Sequence, residues 1–357
     1  MRSRQRQGLL QEHVIEMESK DVFLSCLRME AHNRIPTFIF DTSFGMSILG
    51  RPVSDIYKNG FDSELSAKSI SAGRRYLGHD GIVGATSCGD TRVLGADVQL
   101  FPDRPPMILK HAFSDPLNIG SHSPEDIDCK IIDGIVGSYN ILEKMEPDAF
   151  IMGYTPTPFL LCAVLRGLEY FLMDLISGNG YVERLLQFSQ KVSDIITEKI
   201  CGTGVCDGMM LPGAYDNVDI MGMDSLKKYC IPSLESTNAF VGKSGLPVIF
   251  HPHGVLTEGH GKEALEMFMK LGYDCIYYGE DNDHRRIGEL TMGRCSVMGG
   301  VDTASTIYLG PNERVVKDTN DIIGQMEGRN YIFTCSCSVD YGLDKERLKL
   351  MIDTVRR

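Results

Sequence analysis

Short apolar runs alternate along this chain with longer stretches in which apolar residues return every three or four positions. Eight of the runs read as strands: TFIF (37–40), GIVG (81–84), AFIMGY (149–154), DGMML (207–211), LPVIF (246–250), DCIYYG (274–279), CSVMGG (295–300) and YIFTCS (331–336). Amphipathic helical patterns lie between most of them. Those over 123–145 and 310–326 are the clearest, the second opening with a proline and an acidic residue in its first turn, as helix starts prefer. Strands that alternate with helices imply a parallel sheet covered on both faces. Eight such units predict an α/β chain of the (β/α)8 barrel type, residues 1–357 forming one barrel domain. The competing architecture is a doubly wound open sheet. It is weakened because neither GxGxxG nor GxxxxGK[ST] follows any strand. Residues 1–35 are expected to form a helical segment leading into the barrel. Residues 86–113 are expected to form a β-ribbon insertion, since alternating apolar residues flank a PDRPP turn.

Composition narrows the partners. A formal net charge of −12 argues against nucleic acid or an anionic membrane surface. No apolar run approaches the roughly 18 residues that a membrane span needs. The N-terminus is basic and then acidic, without the apolar core of a signal peptide. The 11 cysteines are odd in number and scattered through helix and strand patterns, so reduced thiols in a cytoplasmic protein are expected.

On a barrel the C-terminal ends of the strands converge on one face, and that face carries the chemistry. Asp41 follows the first strand, Tyr154 ends the third, and Tyr215 and Asp216 follow the fourth. The fifth runs into His251-Pro252-His253 and the sixth into Tyr278, Glu280, Asp281 and Asp283. Asp302 follows the seventh, and the eighth carries Cys335 and Cys337. Residues two apart on a strand share a face, so His251 and His253 can serve one site, as can Cys335 and Cys337. Imidazole, thiolate and carboxylate together suit Zn²⁺ better than Mg²⁺ or Ca²⁺. The competing reading is a histidine pair bonded to backbone and cysteines that are small core residues. Glu280, Asp302 and Asp41 are the candidate catalytic groups, with a helix cap as the alternative for Asp41. Tyr154, Tyr215, Asp216 and Tyr278 are the candidate substrate contacts. Tyr278 is preferred over Tyr277 because it shares the parity of Glu280. His260 and His284 read as solvated loop residues, and Arg166 and Asp174 as structural.

Five segments carry a family resemblance: 155–175 (TPTPFLLCAVLRGLEYFLMDL), 206–235, VIFHPHG (248–254), 298–323 and 331–355. In their order and spacing they resemble the uroporphyrinogen decarboxylase superfamily, and within it the cobalamin-dependent methyltransferases of the methanol and methylamine type. The resemblance implies a (β/α)8 barrel with zinc at its mouth, held by His-x-Cys, a distant Cys and a Glu from the next strand. His251 matches the family's His, Cys337 its distant Cys and Glu280 its Glu, across a longer loop. His253 stands where the family has Cys, and Cys335 is either a substitute ligand or a core residue. The expected metal set is therefore His251, His253 and Cys337, with Glu280 as a possible fourth ligand. The N-terminal arginine-rich motif with which the founding decarboxylase reads its porphyrin is missing, which disfavours that reaction. The corrinoid motif D-x-H-x-x-G is also missing, so the corrinoid (cobalamin) is expected on a partner protein. The implied activity moves a methyl group between a small O-, N- or S-methylated compound and corrinoid cobalt, with demethylation of the compound preferred. The alternatives are methylation of a zinc-bound thiol such as coenzyme M, and a metal-free lyase.

Overall fold

All eight apolar runs form strands, and their order in the sheet is their order in the chain. A computed structural model of the protein describes residues 17–86, 91–127, 130–178 and 180–357. The barrel strands are β1 (Phe38–Ile39), β2 (Gly81–Val83), β5 (Phe150–Tyr154), β6 (Gly208–Gly213), β7 (Val248–Pro252), β8 (Cys275–Tyr277), β9 (Ser296–Val301) and β10 (Tyr331–Cys335); β3 (Asp97–Gln99) and β4 (Met107–Lys110) form a separate antiparallel pair. Neighbouring barrel strands pair in parallel from β1 round to β10. Parallel bridges from Thr37 to Phe333 and from Asp41 to Val339 then join the last strand to the first. The result is a (β/α)8 barrel.

Helices α1 (Ser19–Leu27), α2 (Phe44–Leu49), α3 (Ser63–Leu77), α4 (Lys130–Met145), α5 (Pro158–Arg166), α6 (Leu168–Ser177), α7 (Tyr181–Gly202), α8 (Val218–Ser225), α9 (Ile231–Gly242), α10 (Gly259–Lys270), α11 (His284–Thr291), α12 (Asn312–Gln325) and α13 (Lys345–Val355) complete the fold. Alternation along each strand divides the apolar residues into two layers. Phe38, Met152, Met210, Ile249, Tyr277, Met298 and Ile332 fill the barrel, while Ile39, Ile151, Leu211, Phe250, Ile276, Val301 and Phe333 pack outward against the helices. Phe23 of α1 plugs the bottom of the barrel, stacked on Phe150 at 4.3 Å between ring centroids.

Helix α1 falls within the expected N-terminal segment, of which residues 1–16 lie outside the described residues; the β3–β4 pair falls within the expected ribbon, of which residues 87–90 do. Arg166 and Asp174 form a buried ion pair at 2.7 Å that joins α5 to α6. The nine cysteines among the described residues are all free, and no described helix is long and apolar enough to cross a membrane.

Candidate metal centre

The centre is built where β7 and β10 end. His251 is the inward-facing residue two beyond Ile249, buried with 1% of its surface exposed. Pro252 closes the strand, and its missing N–H costs no internal pairing there. His253 follows, and Gly254 then turns the chain away with φ +87°; a Cβ at Gly254 would stand 2.5 Å from the Asn217 Oδ1. Glycine alone accepts both conditions. The Asn282 side chain locks this loop to the next one, accepting from the Leu256 N–H at 2.6 Å and donating to the Gly254 and Gly279 carbonyls.

Nε2 of His253 stands 3.2 Å from Nε2 of His251, and Sγ of Cys337 lies 3.7 and 3.8 Å from the same two nitrogens. Ligands at zinc bond lengths on a tetrahedron stand about 3.3 Å apart for two nitrogens and about 3.6 Å for nitrogen and sulfur. The donor set therefore fits one zinc-sized ion with no rearrangement of the backbone. The His251 Nδ1 lies 2.8 Å from the Tyr277 carbonyl, which holds the proton on Nδ1 and leaves the Nε2 lone pair for a metal. The ring of Tyr277 stacks on His251 at 3.8 Å, and its hydroxyl donates to the Cys335 carbonyl at 2.8 Å. Phe40 meets His251 edge-on, and Tyr154 packs beside Phe40.

Electrostatics at the centre favour a cation. Burial pulls the His251 imidazole down to about 3, helped by His253 and opposed by the bond to Tyr277. Burial also lowers His253, against the pull of Glu280 and Asp281. The Cys337 thiol is pushed up by burial, with Glu280 and Asp340 adding to the effect and bonds from Ser338 opposing it. Two neutral imidazoles thus face a thiol that needs a neighbouring positive charge to ionise.

Glu280 stands outside this cluster of three but lines a cavity of about 380 Å³ whose wall includes Cys337. Asp302 lines the same cavity, with its carboxylate used as a cap. It accepts from the Ala304 and Ser305 N–H groups and from the Ser305 hydroxyl, and despite burial these bonds hold it below the usual carboxylate range. Tyr154 faces the barrel interior. Tyr215 lines a separate cavity of about 440 Å³, shared with Tyr57 and His111.

Five sequence expectations are corrected. Cys335 points outward, its Sγ 3.8 Å from the Met351 sulfur of α13. The two-residue rule fails because β10 ends at Cys335 and the chain bends over the mouth before Cys337. Tyr278 also points outward, bonding the His284 ring at 2.8 Å in the space that Gly299 leaves free; Tyr277 is the one that reaches the centre, and His284 is not a solvated loop residue. Asp216 is fully buried behind the barrel, accepting from Thr157 at 2.7 Å and Cys230 at 3.3 Å, so no substrate reaches it. Asp41 faces α3 and accepts from the Gly45 N–H at 3.0 Å, the capping alternative. Asn282 and Asp340 escaped the sequence reading, and Tyr277 was weighed there and passed over for Tyr278. The register that pairs Ile249 with Cys275 puts Tyr277 on the face of His251, and the sequence alone does not carry that register.

Comparison with known proteins supports the architecture. A methyltransferase from Methanosarcina mazei shares the fold with a TM-score of 0.82 at 17% identity, over 96% of this chain and 99% of that one. A B12-independent methionine synthase from Shewanella sp. W3-18-1, in complex with selenomethionine, has a TM-score of 0.57 at 13% identity, over 91% and 96%. At such identities the likeness speaks for the fold alone. No curated protein matches the sequence. The eight-stranded barrel agrees with a match over residues 18–357, by which this chain belongs to the uroporphyrinogen decarboxylase (URO-D) family.

Proposed function

We propose that this protein is a zinc-dependent methyltransferase that takes a methyl group from a small O-, N- or S-methylated compound and delivers it to the cobalt of a separate corrinoid protein. The observation that carries the reading is the spacing of the His251 and His253 Nε2 atoms and the Cys337 Sγ at the barrel mouth. These three residues would hold the zinc, which when bound supplies a Lewis acid to the heteroatom that keeps the electron pair as its methyl leaves. Two imidazoles and one thiolate leave a formal charge of +1 at the centre, one more than His with two thiolates would, and so favour the electrophilic role. Tyr277 fixes the His251 ring by stacking and by its carbonyl, while Phe40 and Tyr154 exclude water from the floor of the mouth.

The test is elemental analysis of the purified protein, then methyl transfer with a purified corrinoid protein and a panel of methylated compounds. About one zinc per chain is expected, lost in Cys337→Ser and kept in Cys335→Ser. Zinc content that Cys337→Ser leaves unchanged, or the absence of methyl transfer from every compound, would overturn the proposal.

A further inference from the structure

The two imidazoles of the centre are steadied in different ways. His251 is fixed through its own ring, by the Tyr277 carbonyl at Nδ1 and by the stacked Tyr277 ring. His253 has no such support. Its Nε2 faces His251 and Cys337, and no hydrogen bond engages its Nδ1 among the described residues. A histidine ligand is ordinarily oriented by a partner at the nitrogen that does not bind the metal. His253 also stands beyond the sheet, because β7 ends at Pro252 and the last pair of its ladder with β8 joins Phe250 to Ile276. The place of this ligand therefore depends on what holds the backbone that follows it.

Asn282 holds that backbone. Its side chain, with 4% of the residue exposed, reaches over from the loop after β8. Oδ1 accepts from the Leu256 N–H at 2.6 Å, and Nδ2 donates to the Gly254 carbonyl at 3.0 Å and to the Gly279 carbonyl at 3.3 Å. Gly254 is the neighbour of His253, and Gly279 is the neighbour of Glu280. One acceptor and two donors on one short planar group require an amide; an ionised aspartate has no donor and a serine has a single one. Asp219 adds a bond from the Val255 N–H at 3.1 Å, but in an exposed position.

Resting on the zinc reading above, we infer that Asn282 is a positioning residue for the metal centre, joining the backbone beside His253 to the backbone beside Glu280 so that the second imidazole stands at bonding distance from the ion. Both N–H groups and the oxygen of Asn282 are engaged in these bonds, so it is not a ligand and acts through His253. A ligand set holds its ion only while its supporting groups keep each donor within about 0.5 Å of its place. Loss of the amide frees the 254–256 backbone from the β8 loop and lets His253 drift.

The test is metal binding by the metal-free protein, comparing the wild type with Asn282→Ala, Asn282→Asp and Cys335→Ser. Zinc affinity is read by competition against a chromophoric chelator, the geometry of the site by the visible spectrum of the Co²⁺-loaded protein, and stability by urea unfolding without metal. Asn282→Ala is expected to bind zinc at least about tenfold more weakly, with the Co²⁺ bands of a tetrahedral site weakened or shifted. Asn282→Asp keeps the shape and the acceptor for Leu256 but loses both donors, and should change in the same direction. It carries the test should the alanine variant fail to fold. Cys335→Ser disturbs the core at Met351 and is the control, with lower stability but unchanged zinc affinity and Co²⁺ spectrum. Asn282 variants that lose stability while keeping the wild-type affinity and spectrum would overturn the inference and leave the zinc reading standing. A wild-type protein that binds neither Zn²⁺ nor Co²⁺ would overturn both.

Discussion

The direction of a single side chain separates a ligand from a core residue here. His251 keeps the parity of Ile249 and enters the mouth, whereas Asp41 keeps the parity of Ile39 and turns outward beneath α3. In that place burial pushes the Asp41 carboxyl up to about 7, with bonds from the backbone of residues 43–45 opposing and Asp340 reinforcing the shift. An aspartate in the unfolded chain titrates near about 4. Between those two values the folded state binds the extra proton, so stability falls as pH rises through the window, and the whole cost is present above it. Asp41→Asn keeps an oxygen for the Gly45 N–H and removes the charge. The variant should equal the wild type near pH 4 and exceed it increasingly up to about pH 8, by on the order of a few kcal/mol. Urea titrations at several pH values measure this, and a difference independent of pH would show that Asp41 stays ionised.

At the scale of elements, every barrel strand was legible because strands buried on both faces leave long apolar runs between turns. Their ends were less legible, and the ends make the site. The extended reading of β8 to 279 gave Tyr278 the inward parity, and that of β10 to 336 treated Cys335 and Cys337 as one face. Both strands stop earlier, at Tyr277 and Cys335, where the chain begins its turn. One residue links these two ends. Tyr277 presents its carbonyl to His251 on one side and its hydroxyl to the Cys335 carbonyl on the other, so the strands that supply imidazole and thiol share a strut. Tyr277→Phe keeps the stacking and the carbonyl but releases the β10 end. We expect a loss of roughly 1 kcal/mol in stability and of about tenfold in zinc affinity. Urea unfolding and competition against a chromophoric chelator would measure the two. A loss of stability with unchanged zinc affinity would confine Tyr277 to packing.

For the whole molecule, the barrel brings together residues that the sequence keeps far apart: Cys337 lies 86 positions beyond His251 and 84 beyond His253. The unfolded chain holds no such cluster, so an ion bound there binds the native state alone and its binding energy becomes folding energy. The pairing of β7 through β8 and β9 to β10, and the bridge from Asp41 to Val339 just beyond Cys337, hold the three residues together, so a zinc bound there would report on the barrel rather than on a local loop. At a free zinc concentration one hundred times the dissociation constant the gain is about 2.7 kcal/mol. A chelator should therefore lower the melting temperature of the wild-type protein, and added zinc should restore it. Cys337→Ser should melt at one temperature with or without chelator, because a serine hydroxyl replaces the thiolate. Cys335→Ser should melt lower than the wild type, since it places a hydroxyl in the core against Met351, yet keep its full response to chelator. Calorimetric melting of the three proteins with and without chelator measures this. A Cys335→Ser protein that no longer responds would mean that the outward-facing sulfur, and not the one at the mouth, holds the ion.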